Sequence, residues 1–203
     1  MENLHGIKRT LGSRQKAKKP ILINDLKLII NVIHKEKYRD KALILIGFAG
    51  GFRRSELVNI NYEDIEFVPE GVKILIRRSK TDQSGEGSIK AIPYFDNQEF
   101  CPVIALRNYI NDKFTNINKG KIFEISDKSV ALIIKKYASK AGLDSSKYAG
   151  HSLRSGFATT AAEFGAEERN IMAMTGHKTT QMVRRYIQEA NLFKNNALNK
   201  IKI

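Results

Sequence analysis

Cysteine is nearly absent from this sequence: Cys101 is the one thiol among 203 residues, so no intramolecular disulfide and no thiolate metal cage can form. A lone cysteine of this kind reads as a small packed hydrophobe rather than a nucleophile. Long apolar runs are missing too. None approaches the roughly 18 residues of a membrane span, and the basic N-terminus leads into no apolar signal core, which points to a soluble cytoplasmic protein with no membrane partner. Acidic side chains are scarce, 21 against 35 Lys and Arg, leaving a formal net charge of +14 and a pI near 9.8. That balance makes a polyanion, nucleic acid first, the expected partner, although charge by itself also fits a merely basic protein. No internal repeat is visible, and the length suits one domain able to bury most of its apolar surface unaided.

Residues 1–20 hold Lys8, Arg9, Arg14, Lys16, Lys18 and Lys19 with little apolar patterning and end at Pro20. They read as a basic linker or arm that either follows DNA phosphates or is a solvated tail. Helical spacing begins with Asn24 as N-cap and Leu26, Ile29, Ile30 and Ile33, resumes from Asp40 through Leu43, Ile44 and Ile46, and stops at Gly50-Gly51. A short helix follows from Arg54 or Ser55 and ends by Asn61. The period then changes to two: Ile65 and Phe67, next Val72, Ile74 and Ile76 against Lys73, Leu75 and Arg77, and last Ile89, Ala91 and Pro93. These runs predict an antiparallel sheet whose last two strands are joined by a polar, glycine-containing loop over 82–87. Helical spacing returns over 102–116, 129–141, 152–164, 167–174 and 180–190. The expected class is α+β, mainly α-helical with a small three-stranded antiparallel sheet.

A few side chains in fixed order could break a phosphodiester. Cleavage without a metal needs cationic donors on the non-bridging oxygens, where charge concentrates as phosphorus becomes pentavalent. Arginine suits this because its planar fork donates to two oxygens at once and keeps its charge; Arg53 and Arg154 are the candidates. Arg154 follows His151 by three residues, so on a helix both share one face near the N-terminus, where backbone N–H groups favour phosphate, and Gly150 leaves room for close approach. The alternative has His151 capping a helix and Arg154 facing solvent. Tyr186 is the candidate nucleophile, able to form a 3′-phosphotyrosyl link that preserves the bond energy for resealing. Its ordinary pKa near 10 requires a neighbouring base or positive charge, and by itself such a tyrosine is a half-buried core residue. His151 would exchange a proton with the tyrosine hydroxyl, and His177, after Gly176, would hydrogen-bond a phosphate oxygen. Lys80, at the mouth of the hairpin loop, could protonate the leaving 5′-oxygen as general acid, or be a surface lysine in a turn. Glu56 reads as a buttress for Arg53, since a bare carboxylate beside a phosphate would repel it. A zinc reading of His151 and His177 lacks further ligands at a recognisable spacing, so no metal is expected.

These residues carry a resemblance. Gly51-Phe52-Arg53-Arg54-Ser55-Glu56-Leu57 resembles the Gly-Leu-Arg-x-Ser-Glu-Leu pattern of tyrosine recombinases, the phage-integrase and Xer-like site-specific DNA recombinases. Lys80-Thr81 resembles the family's strand-borne Lys-Thr; His151-Ser152-Leu153-Arg154 its His-x-Leu-Arg box; Gly176-His177 its Gly-His box; and Tyr186, nine positions on, its nucleophile. The likeness spans about residues 20 to 195. It implies the tyrosine recombinase catalytic-domain fold of the DNA breaking-rejoining enzymes over 21–203, with a C-terminal tail from about 187. It also implies a metal-free and cofactor-free mechanism on double-stranded DNA, with strand exchange through a Holliday junction by a homo-tetramer of protomers that are monomers without DNA. The family's N-terminal core-binding domain is expected to be absent, because 20 residues are too few for one.

Two other readings compete. A noncatalytic module could use residues 152–164, the Gly165 turn and 167–174 as a helix-turn-helix, which leaves Arg53, Glu56 and Lys80 unexplained. A type IB topoisomerase would share the chemistry without exchanging partners.

Overall fold

The computed structural model describes residues 18–77, 87–113, 119–192, 194 and 197–201. Apolar spacing gives helix α1 (Ile23–Asn31) one buried stripe of Leu26, Ile29 and Ile30, whereas helix α2 (Tyr38–Ala49) is buried on all sides from Ala42 onward and becomes the centre of the core. Helix α1 starts after Leu22 without a side-chain cap. Asn24, the expected cap, lies inside its first turn, where the neighbouring Asp25 complements the positive end of the helix. After the short α3 (Arg54–Val58) come strands β1 (Ile65–Val68), β2 (Gly71–Ile76) and β3 (Ser88–Pro93), paired antiparallel in the order β1-β2-β3. Four of the next five helices close the scaffold and the site: α4 (Pro102–Lys113), α5 (Asp127–Lys140), α6 (His151–Glu163) and α7 (Glu168–Thr175), with α8 (Thr180–Asn191) last. The architecture is therefore the expected α+β class, mainly helical with one three-stranded sheet.

Helix α2 packs on α4 and α6, while α1 and α3 pack on α5. Their apolar faces and the inner face of the sheet form one large core, in which Cys101 is fully buried as a small hydrophobe. A second core is far smaller: Ala158 and Ala162 of α6, Ile171 of α7 and Val183 of α8, with Tyr186, Ile187 and Ala190 packed against it. Among the described residues no helix is long and apolar enough to cross a membrane.

One expectation needs correcting, and two others meet the described residues only at their edges. In β3 the alternation has the opposite phase to the one read from Ile89, Ala91 and Pro93: Ile89 is 68% exposed, and Lys90 and Ile92 face the core. The register causes this, because Ile92 pairs with Val72 and Lys90 with Ile74, both inward-facing. The expected basic arm ends on the protein itself. Lys18 Nζ donates to Ser146 O at 2.8 Å, and Lys19 Nζ bonds Asp25 at 2.9 Å and the Tyr148 hydroxyl at 3.3 Å; residues 1–17 lie outside the described residues. The tail expected from about 187 is still helix there. Ile187 and Ala190, partly buried, pack on the small core from α8, which runs to Asn191, and Lys194 Nζ donates to Glu163 O at 2.5 Å.

Candidate active site

The turn between α2 and α3 presents Arg53, and one carboxylate holds both ends of it. Glu56, buried in α3, accepts the backbone N–H of Arg53 on Oε2 at 2.9 Å and its Nη1 on Oε1 at 2.5 Å. The guanidinium is thus aimed by a local three-residue loop, and its other nitrogen, Nη2, donates to Gly176 O at 3.0 Å.

Helix α6 begins at His151, which reaches solvent, and places Arg154 one turn later on the same face. Arg154 does not face solvent: it is 2% exposed and its Nη1 donates to Gly51 O at 2.9 Å. Gly150 does leave room, and Arg54 fills it, since a Cβ there would sit 2.0 Å from the Arg54 Cδ. A cleft of about 220 Å³ opens here, lined by Arg53, Arg54, Ser55 and His151.

Helix α7 ends on Gly176 in the left-handed region, φ 63°, a conformation glycine adopts without Cβ strain, and the chain reverses to present His177. His177 is 7% exposed, and its Nδ1 lies 2.7 Å from the Thr175 hydroxyl. That hydroxyl already donates its single proton to Ile171 O at 2.6 Å, so Nδ1 must be the donor to it. Helix α8 then brings in Tyr186. Its hydroxyl lies 3.5 Å from His151 Nε2, the outer limit of a hydrogen bond, and its ring is 5.9 Å from that of His177.

The cations dominate the electrostatics. Burial first, and Arg53 next, push Arg154 down to about 10, with Glu56 and Tyr186 pulling the other way; it remains a cation at neutral pH. Burial, then Arg154 and Arg53, with smaller effects of His151 and Lys90, push His177 down to about 4. Desolvation and the charges of Arg154, Arg53 and Arg54 lower His151 as well. The site therefore holds two neutral imidazoles among guanidinium ions, a charge pattern that favours an incoming anion and leaves the His151 lone pair free to accept the tyrosine proton.

The fold thus gathers Arg53, Glu56, His151, Arg154, His177 and Tyr186 from four separate stretches of sequence. Lys80 lies outside the described residues. Among the described residues no group of three or more His, Cys, Asp or Glu could hold a metal ion. Two neighbours went unread. Thr175 orients His177, and its only signal was a hydroxyl immediately before Gly176-His177. Lys90, 5% exposed, donates to Gly50 O at 2.8 Å and to Met174 O. The antiparallel register could have placed it beneath the site, but the out-of-phase apolar run hid it.

Residues 21–192 match the model of the phage integrase family. The chain is 47% identical over 213 residues to the integrase/recombinase xerD homolog of Selenomonas ruminantium, covering 98% of this chain and 62% of that protein. It is 31% identical over 196 residues to the tyrosine recombinase XerA of Pyrococcus furiosus, covering 87% and 63%. The chain therefore spans about three fifths of the length of these relatives. Its fold resembles the crystal structure of XerA recombinase, with TM-score 0.70 and 20% identity over 94% of this chain and 67% of that one. It also resembles XerH site-specific recombinase bound to palindromic difH substrate in a post-cleavage complex, with TM-score 0.66 and 17% identity over 89% and 54%.

Proposed function

The chain belongs to the phage integrase family, and from that premise we propose that it is the catalytic domain of a site-specific DNA recombinase, cleaving and rejoining strands through a 3′-phosphotyrosyl intermediate on Tyr186. One observation carries the reading: the Tyr186 hydroxyl stands 3.5 Å from a neutral-leaning His151, beside Arg154, Arg53 and His177.

In the reaction, Tyr186 Oη attacks phosphorus as its proton passes to His151 Nε2, and the P–O5′ bond breaks. Arg53 and Arg154 hold the two non-bridging oxygens and neutralise the charge that builds there. Lys80 gives the leaving 5′-oxygen its proton. Glu56 aims Arg53 and takes no proton itself. His177 needs a proton on Nε2 to bind a phosphate oxygen, since Nδ1 is committed to Thr175; the arriving phosphate charge raises its affinity for one. Attack by a 5′-hydroxyl of a second strand reverses the sequence and joins new partners. The double-stranded DNA partner, the homo-tetramer on DNA with a monomer off it, and a cytoplasmic location belong to the same proposal. No cofactor enters any step.

The test uses a pool of nicked duplexes with randomised flanks and one 5′-phosphorothiolate link, whose thiolate leaving group cannot religate. A covalent adduct that forms with the wild-type chain and vanishes in Tyr186→Phe supports the reading. DNA binding without adduct in either chain would favour a noncatalytic binding module; on unmodified supercoiled circles, relaxation without exchanged partners would favour a type IB topoisomerase-like activity.

A further inference from the structure

The phosphate site is built on two turns that are distant in sequence, the Gly50-to-Arg53 turn and the Met174-to-His177 turn, and among the described residues no backbone hydrogen bond joins them. What joins them is a set of side-chain cations on their carbonyl oxygens. Arg154 bonds Gly51 O and Arg53 bonds Gly176 O. Among the described residues outside the two turns, Lys90 bonds a carbonyl of each, Gly50 O at 2.8 Å and Met174 O, with its ammonium 4.8 Å from the centre of the Phe52 ring. It does so from the inner face of β3, where its neighbours in register and phase are Val72, Ile74 and Ile92. An ammonium on such a face is costly to desolvate unless its protons are bonded. Burial pushes it down to about 8, against the pull of Glu56 and with the push of Arg154 and Arg53, so it is still mainly a cation at neutral pH.

We propose that Lys90 is a positioning residue for strand cleavage: by clamping the carbonyls of Gly50 and Met174 it sets the distance between Arg53 and His177 across the scissile phosphate. It is distinct from Lys80, the general acid of the proposed reaction, and touches no reacting atom. The inference rests on the strand-transferase reading above. A misplacement of about 1 Å at a reacting centre costs on the order of 100-fold in rate, and this is the kind of loss that releasing one turn from the other would produce.

The experiment compares wild type, Lys90→Met, Lys90→Gln and Lys90→Arg on phosphorothiolate duplexes captured by the wild-type chain. It reads the single-turnover cleavage rate at saturating protein, the half-saturating protein concentration and the unfolding temperature. Expected is a Lys90→Met rate lower by roughly 10- to 100-fold with half-saturation unchanged within about twofold, and partial recovery in Lys90→Arg, which keeps the cation. A wild-type rate in folded Lys90→Met overturns the proposal. So does a loss shared fully by Lys90→Arg, or a loss of cooperative unfolding in both Lys90→Met and Lys90→Gln, which would make Lys90 a support of the fold alone. A wild-type chain that gives no adduct overturns the strand-transferase reading and this inference with it, a result distinct from a normal wild type beside an unaffected variant.

Discussion

The two cores hold the two halves of the site differently. Arg53, Glu56 and Arg154 stand at the edge of the large core, around α2, and every one of them is fixed by hydrogen bonds to the protein. Tyr186 rides on α8, whose buried contribution to the small core is Val183. A strongly amphipathic helix held by a narrow apolar seam opens at lower free energy than a helix buried on all sides. The contrast separates tasks. On the proposed function, the clamp would be preorganised for the charge of the transition state, where reorganisation would cost rate, while the nucleophile would sit on the less firmly buried element.

The sharpest break of this comparison removes the nucleophile and leaves its helix. Tyr186→Phe deletes one oxygen from a partly buried side chain, so α8 keeps its seam, and adduct formation is expected to fall by at least about 10⁴-fold with DNA affinity intact. Denaturing gels of the phosphorothiolate reaction give the first number and equilibrium binding the second. Residual adduct above that floor would mean that another group attacks.

The clamp comes next. Arg154→Ala or Arg53→Ala should slow cleavage by about 10²- to 10³-fold, the scale of losing one preorganised donor. Stability should respond weakly to Arg154→Ala, because the lost bond to Gly51 O is offset by removing a buried cation that Arg53 repels. Near-wild-type rates in both variants would sink the clamp assignment.

Acid should act on the histidines. His177 in the folded state is held near 4, below the ordinary histidine value of about 6.5, so between those values the unfolded chain binds the extra proton and stability is lost as pH falls. By pH 5 this amounts to about 2 kcal/mol, and His151, lowered too, adds in the same direction. His177→Asn keeps a donor for Thr175 but cannot titrate. Its unfolding free energy should therefore drop less than the wild type's between pH 7 and pH 5, and parallel curves would refute the burial argument for His177.

What the sequence disclosed follows the same division. Side chains whose chemistry acts over three or four residues were readable: Arg53 with Glu56, His151 with Arg154, Gly176 with His177. The helical stripes of α1 and α5 and the two-residue period of β2 were readable for the same local reason. What failed needed partners far away. The phase of β3 depends on Ile74 and Val72 across the hairpin, so Lys90 passed for an outward residue. Arg154 was open to being a solvent-facing side chain because its partner, Gly51 O, lies 103 residues away. The Tyr186 contact with His151 spans 35 residues and two helix ends, and spacing alone could not bring the two together.

The gentlest perturbation tests the comparison itself. Val183 is fully buried and meets Ala158, Ala162 and Ile171, three small or medium side chains that leave little to refill the space of a lost pair of methyl groups. Val183→Ala should cost roughly 1–2 kcal/mol. If α8 docks as a separate unit, the cost appears as faster amide exchange along α8, while the amides of α2 exchange as before and the main unfolding transition barely moves. Leu43→Ala in the large core, by contrast, should lower global stability by about 2–5 kcal/mol and speed exchange everywhere. Were Val183→Ala to lower the main transition as Leu43→Ala does, the two cores would be one cooperative unit, and the nucleophile would be as firmly held as the clamp it faces.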